Sequence, residues 1–232
     1  AWAFAKAGVA APQLFDAFAS EASTRIGDFN SQELSLTAWA FATADAAAPQ
    51  LFDVIASEAS SRIDEFNAQA MANTAWAFAK ADVAAPQLFD EIAWRASTRV
   101  GEFKARELAM TAWAFARAGA EAPQLFHAIA VETPTRISEF DGRELANTAW
   151  AFAKSQVTAP QLFTTIALAA STRMDEFSAL DMASTAWSFA TANFAAPELF
   201  RAISTATLRR TGEFSARSMA NTAWAFAKAG VA

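Results

Sequence analysis

The chain has 232 residues, 54% of them hydrophobic, with a formal net charge of −6 and a pI of about 4.9. That balance argues against a generally basic nucleic-acid coat, though not against a local basic stripe. With no cysteine there is no disulfide framework, thiolate zinc site or cysteine nucleophile. The apolar runs are short and broken by Pro, Asp or Lys, so no membrane insertion is expected, and no targeting segment is visible.

From the N-terminus onward a tryptophan recurs every 37 residues, at Trp2, Trp39, Trp76, Trp113, Trp150, Trp187 and Trp224, mostly within Thr-Ala-Trp-Ala-Phe-Ala. A strict period of this length marks a stack of supersecondary units, each unable to bury its apolar faces alone. The expected fold is all-α: a single α-solenoid domain over 1–232, built of tandem 37-residue helix-turn-helix repeats, as a right-handed superhelix. Residues 1–10 and 223–232 are the same decamer, AWAFAKAGVA, and the chain starts inside a motif without an initiator Met. A window on a longer array is therefore expected, with about six repeats and a terminal helix in view.

Within one repeat, Asn30 followed by Glu33 matches a capping box at the start of a first helix, A, over about 31–44. Asp141 with Glu144, and Ser178 with Asp181, repeat it, while Lys104 spoils the first slot of one copy. Leu34, Ala38 and Phe41 form its buried stripe, widened by Trp39 and Ala42. A connector ends in Ala48-Pro49, and proline suits the first position of a second helix, B, over about 49–62. Pro12, Pro86, Pro123, Pro160 and Pro197 hold the same slot. Leu51, Phe52, Ile55, Ala56 and Ala59 supply the apolar side of B, and an Arg-Ile-x-Glu-Phe turn leads onward. Pro134 is expected to shorten or kink its copy of helix B.

Slots that never vary are read as structural. Arg25, Arg62, Arg99, Arg136, Arg173 and Arg210 are each followed three residues later by an acid, which favours a charge-paired ladder over a phosphate-binding row. The tryptophans are expected in the core, the alternative being a stacking platform for bases. The Thr two residues before each (Thr37 to Thr222) is expected to bond its own backbone.

Slots that vary on an exposed face are candidates for recognition. Three residues before each Trp stand Leu36, Asn73, Met110, Asn147, Ser184 and Asn221, and one residue after it a small one, Ala40 or its equivalents. Four residues after it stand Lys6, Thr43, Lys80, Arg117, Lys154, Thr191 and Lys228. The spacings put these slots on one helical face. An amide or hydroxyl there could meet a base edge, a small residue leave a gap, and a cation meet phosphate, as in single-strand readers. The candidate RNA-binding residues are Asn73, Asn147, Ser184, Asn221, Lys80, Arg117, Lys154 and Lys228. A solvated helix face is the competing account.

Helix B carries a second variable row, Asp16, Asp53, Asp90, His127, Thr164 and Arg201, read as a solvated convex face. Trp94 stands out there as a protein contact if exposed or a gap filler if buried. His127 is the only histidine and replaces an aspartate, so it is read as a surface substitution. No nucleophile motif, glycine-rich phosphate loop or metal-ligand spacing is present, and no enzyme, metal site, cofactor or small-molecule substrate is expected.

The unit Phe-x-x-x-x-Leu-Ala-Asn-Thr-Ala-Trp-Ala-Phe-Ala-Lys-Ala-Gly, followed by Ala-Pro-Gln-Leu-Phe, resembles the octotricopeptide and heptatricopeptide repeats of algal and protist organelle proteins. The match is clear from Phe66 to Ala77 and departs at the second helix, where Ala48-Pro49-Gln50-Leu51-Phe52 replaces the octotricopeptide Pro-Pro-Pro-Glu-Trp. The resemblance implies single-stranded RNA binding for stabilisation, processing or translation in a chloroplast or mitochondrion. The alternative is a protein–protein scaffold or structural subunit of a larger assembly.

Overall fold

The computed structural model describes residues 12–231. It is an all-α repeat array of the solenoid class, and it divides into two compact units, 1–125 and 126–232. In the first, B helices α1 (Pro12–Thr24), α3 (Pro49–Ser61) and α5 (Pro86–Thr98) alternate with A helices α2 (Ser31–Thr43), α4 (Ala68–Ala81) and α6 (Ala105–Ala118). In the second, A helices α8 (Gly142–Lys154), α10 (Ala179–Thr191) and α12 (Ala216–Ala229) alternate with B helices α9 (Pro160–Thr172) and α11 (Pro197–Arg209). The boundary falls within B helix α7 (Pro123–Thr135). The expected A span of 31–44 and B span of 49–62 are each met to within one residue. Trp2, Lys6 and the first copy of the repeated decamer lie outside the described residues.

Each boundary has a local cause. Asn30, Asp141 and Ser178 accept from the backbone N–H three residues on, while Glu33, Glu144 and Asp181 accept from the cap's own N–H. At Lys104, whose ammonium can accept nothing, half of the box survives, because Glu107 still accepts from the Lys104 N–H at 2.9 Å. Helix A ends in a Schellman motif. Asp45, Asp82, Gly119, Gln156, Asn193 and Gly230 adopt φ between 53° and 67°. The next N–H returns to the Phe carbonyl, as from Val83 to Phe78 at 3.0 Å. Pro134 does not shorten its helix: α7 spans 13 residues, as α5 and α9 do, with Pro134 inside it.

The core is a ladder of phenylalanines. The B-helix Phe of one repeat meets the A-helix Phe of the next edge-on, as in Phe52–Phe78 at 5.0 Å and 84°, and Phe163–Phe189 at 5.0 Å and 79°. The largest fully buried side chains are all phenylalanines. A helices meet through alanine: Ala38, Ala40, Ala75, Ala77, Ala112 and Ala114 are fully buried. Within each unit the A helices pack more closely on one another than the B helices do.

Two outcomes test this account by urea denaturation. Phe78→Ala removes one half of a buried ring pair and is expected to cost about 3–5 kcal/mol. Gln156→Gly relieves a left-handed backbone on a residue with a Cβ and is expected to gain about 1 kcal/mol; a loss there would contradict the cap assignment.

Candidate nucleic-acid interface

The A helices α2, α4, α6, α8 and α10 each expose one narrow stripe, and α12 exposes a broader face that includes it. On α4 the stripe consists of Gln69, Asn73, Trp76 and Lys80, spaced i, i+4, i+7 and i+11. The amide and the indole are half-buried, and the residues at either end are exposed. The same stripe runs as Gln32, Leu36, Trp39, Thr43 on α2 and Arg106, Met110, Trp113, Arg117 on α6. In the second unit it runs as Arg143, Asn147, Trp150, Lys154 on α8, Leu180, Ser184, Trp187, Thr191 on α10, and Arg217, Asn221, Trp224, Lys228 on α12. All eight candidate residues therefore lie on these stripes: Asn73, Asn147, Ser184 and Asn221 half-buried, Lys80, Arg117, Lys154 and Lys228 exposed.

Two expectations about this face are corrected. The small residue after each Trp does not leave a gap, because Ala40, Ala77, Ala114, Ala151, Ser188 and Ala225 are buried. The residue between amide and cation is the tryptophan itself. Nor do the row tryptophans among the described residues fill the core: Trp39, Trp76, Trp113, Trp150 and Trp187 are half-buried, and Trp224, on the last described helix, is exposed. Trp39 stacks on Trp76 at 6.1 Å and 28°, and Trp187 on Trp224 at 6.4 Å and 29°. The expected threonine bonds form at Thr148 and Thr222, which donate to Glu144 and Ser218 carbonyls at 2.8 Å. The buried hydroxyls of Thr74, Thr111 and Thr185 have no partner.

The arginines of the invariant row and those of the stripes differ in their partners, and Arg95, Arg201 and Arg209 on B helices pair with acids. Those of the invariant row are structural. Arg99 bonds Glu102 and reaches the Phe66 carbonyl of the preceding repeat at 3.0 Å. Arg62, Arg173 and Arg210 make the same link to Phe29, Phe140 and Phe177. Their hydrogen bonds hold the Glu65, Glu102, Glu139, Glu176 and Glu213 carboxyls below the usual glutamate range and push the arginines up. The stripe cations differ. Among the described residues Arg106, Arg143, Arg217, Lys80, Lys154 and Lys228 enter no ion pair; Arg117 has one, with Asp82 at 3.6 Å. The arginines seven residues before Trp were not singled out from the sequence, although one more helical turn of the same pattern leads to them.

The B side is unlike the A side. Asp16, Asp53, Asp90 and His127 are exposed on it, as are Trp94 at 62%, Leu168 at 68% and Leu208 at 78%. Trp94 is therefore not a gap filler. Among the described residues no His, Asp and Glu cluster could hold a metal ion, and no helix is long and apolar enough to cross a membrane.

A row of short antiparallel helix pairs, with tryptophans and most of the uncommitted cations along the A layer and acids along the B layer of the first unit, defines a helical-repeat protein. The chain belongs to the RNA-editing substrate-binding complex 6 protein family, which it matches over residues 1–156 and again over 64–232. No curated protein matches the chain.

Acid should weaken the arginine ladder. The paired glutamates bind fewer protons folded than unfolded, so their contribution is complete above the ordinary glutamate value of about 4.3 and is lost as pH falls through their lower folded values. The urea midpoint is expected to fall below about pH 4, and Glu102→Gln to shrink that fall. An unchanged pH profile in the variant would show the pairing to be idle.

Proposed function

We propose that this chain is a non-catalytic component of an RNA-editing substrate-binding assembly and that it holds single-stranded RNA along its A-helix stripes. The observation that carries this reading is that, among the described residues, Lys80, Lys154 and Lys228 enter no ion pair and share their stripes with the half-buried amides Asn73, Asn147 and Asn221, in a chain whose other arginines are mostly neutralised in place. Lys80, Arg117, Lys154 and Lys228 engage phosphates, which position a strand without reading it. Asn73, Asn147, Ser184 and Asn221 meet base edges. Met110 and Leu36 hold the same slot without hydrogen-bonding capacity, so the readout is sparse. The overall negative charge, gathered on the B side and the turns, disfavours non-specific coating and leaves the A side as the place where a polyanion is attracted. The compartment that the repeat resemblance supports is an organelle, mitochondrion or chloroplast.

A second reading has its own observation. Val131, Leu168 and Leu208 are exposed on B helices of the second unit, and a scaffold or structural subunit would use such a face for a protein. A protein partner retained after nuclease treatment would favour it.

Binding of a single-stranded RNA pool across a salt series tests the first reading. Affinity is expected to fall with salt, with a log–log slope of about −0.7 per phosphate neutralised. Lys154→Ala should weaken binding to all sequences and flatten that slope by about 0.7. Asn147→Ala should instead change sequence preference. No binding at low salt, or no slope, would remove the RNA reading.

A further inference from the structure

We propose that the tryptophan stripes are base-stacking platforms: the part-exposed indoles of Trp39, Trp76 and Trp113 in the first unit and Trp150, Trp187 and Trp224 in the second extend a row of rings onto which bases of a single-stranded nucleic acid stack. The proposal rests on the RNA reading above and assigns its binding chemistry to residues that reading does not use.

Packing does not account for an indole at these positions. The helix interfaces beside it are made by Ala75, Ala77 and their equivalents, and the core volume by phenylalanines. A leucine or alanine would close the same interface without leaving a large aromatic half in water. Two pairs of the rings are also aligned with one another. Trp39 and Trp76 lie within 28° of parallel, as Trp187 and Trp224 do within 29°.

The surroundings suit a nucleotide. Arg143 and Lys154 stand at the two ends of the α8 stripe with Trp150 between them, and Arg217 and Lys228 bracket Trp224 on α12. Eleven residues of helix separate each pair, about 16 Å at 1.5 Å per residue. That is too far apart for one phosphate, and wide enough for a base over the indole with its backbone at either edge. Every base has a π-face, so stacking is tolerant of sequence. The division of labour matches the pattern of variation. The Trp slot is constant in all described repeats, while the slot three residues before it changes. Stacking supplies affinity common to every repeat, and the amides add preference where they are present.

The test compares two ligands on the unmodified protein: a twelve-residue oligouridylate and an abasic ribose-phosphate oligomer of the same length and charge. The chain has no tyrosine, so its ultraviolet emission reports indoles alone, and Trp94→Phe removes the one that lies off the row. Oligouridylate is expected to quench the emission and to bind roughly 10- to 100-fold more tightly than the abasic oligomer. Trp187→Leu, with its helical circular dichroism retained, should narrow that ratio. An abasic oligomer bound within about twofold of oligouridylate overturns the stacking role and leaves the RNA reading standing. Failure of both ligands to bind removes the two together.

Discussion

The A helices meet through alanine, and much of the molecule follows from that contact. Ala38, Ala40, Ala75 and Ala77 have no side chain beyond Cβ, so neighbouring backbones approach until little space is left between them. A residue as large as tryptophan has no room in such an interface. It is pushed to the rim, where the next tryptophan, held one repeat away by the same contact, becomes its stacking partner. The close A layer also forces the bulk of the core to the other side, where Phe52 and Phe78 interlock. The alanine contact thus fixes where the aromatics go and which face of the array they mark.

That constraint explains what could be read in advance. The 37-residue step, the Asn30–Glu33 box, the proline at Pro49 and the stripe Leu34, Ala38, Phe41 are local patterns, and each has its structural counterpart. The tryptophans were misplaced because a helical wheel shows which residues share a face but not how far the neighbouring helix stands off. Trp76 and Ala77 are neighbours in sequence, about 100° apart around the helix, and the depth of the interface on each side decides that alanine enters and tryptophan does not. The stripe was half legible for a related reason. The slots three before and four after Trp reach Asn147 and Lys154, whereas Arg143 lies one further turn back, in a slot that also holds Gln32, Gln69 and Leu180 and so shows no constant chemistry in sequence. Gln156 was invisible as a cap, since a left-handed residue is signalled in sequence by glycine, and among the described residues glycine occupies that slot only at Gly119 and Gly230.

Charge is sorted with similar economy. Arg99 and its equivalents spend their donors on a carboxylate beside them and on a carbonyl of the preceding repeat, so they join repeats without presenting free charge. Being half-exposed, each carboxylate pair adds little by itself; the bond to Phe66 is what ties one repeat to the next. Arg143 and Lys154 have no such obligations among the described residues. A negatively charged protein can therefore carry attractive charge on one layer, because the described arginines off that layer are already paired with acids.

The links that join successive repeats also have a kinetic meaning. Arg99 reaches a carbonyl 33 residues back, and Phe52 meets Phe78 in the following helix pair. No link described here within either unit reaches past the adjacent repeat. The loop that must close to form each one has the same size wherever it lies, so its closure entropy does not grow as repeats are added. Contact order falls, relative to length, with every repeat. Such a chain can begin folding at any helix pair and propagate in both directions, and gain or loss of a repeat leaves the search problem of each remaining pair unchanged.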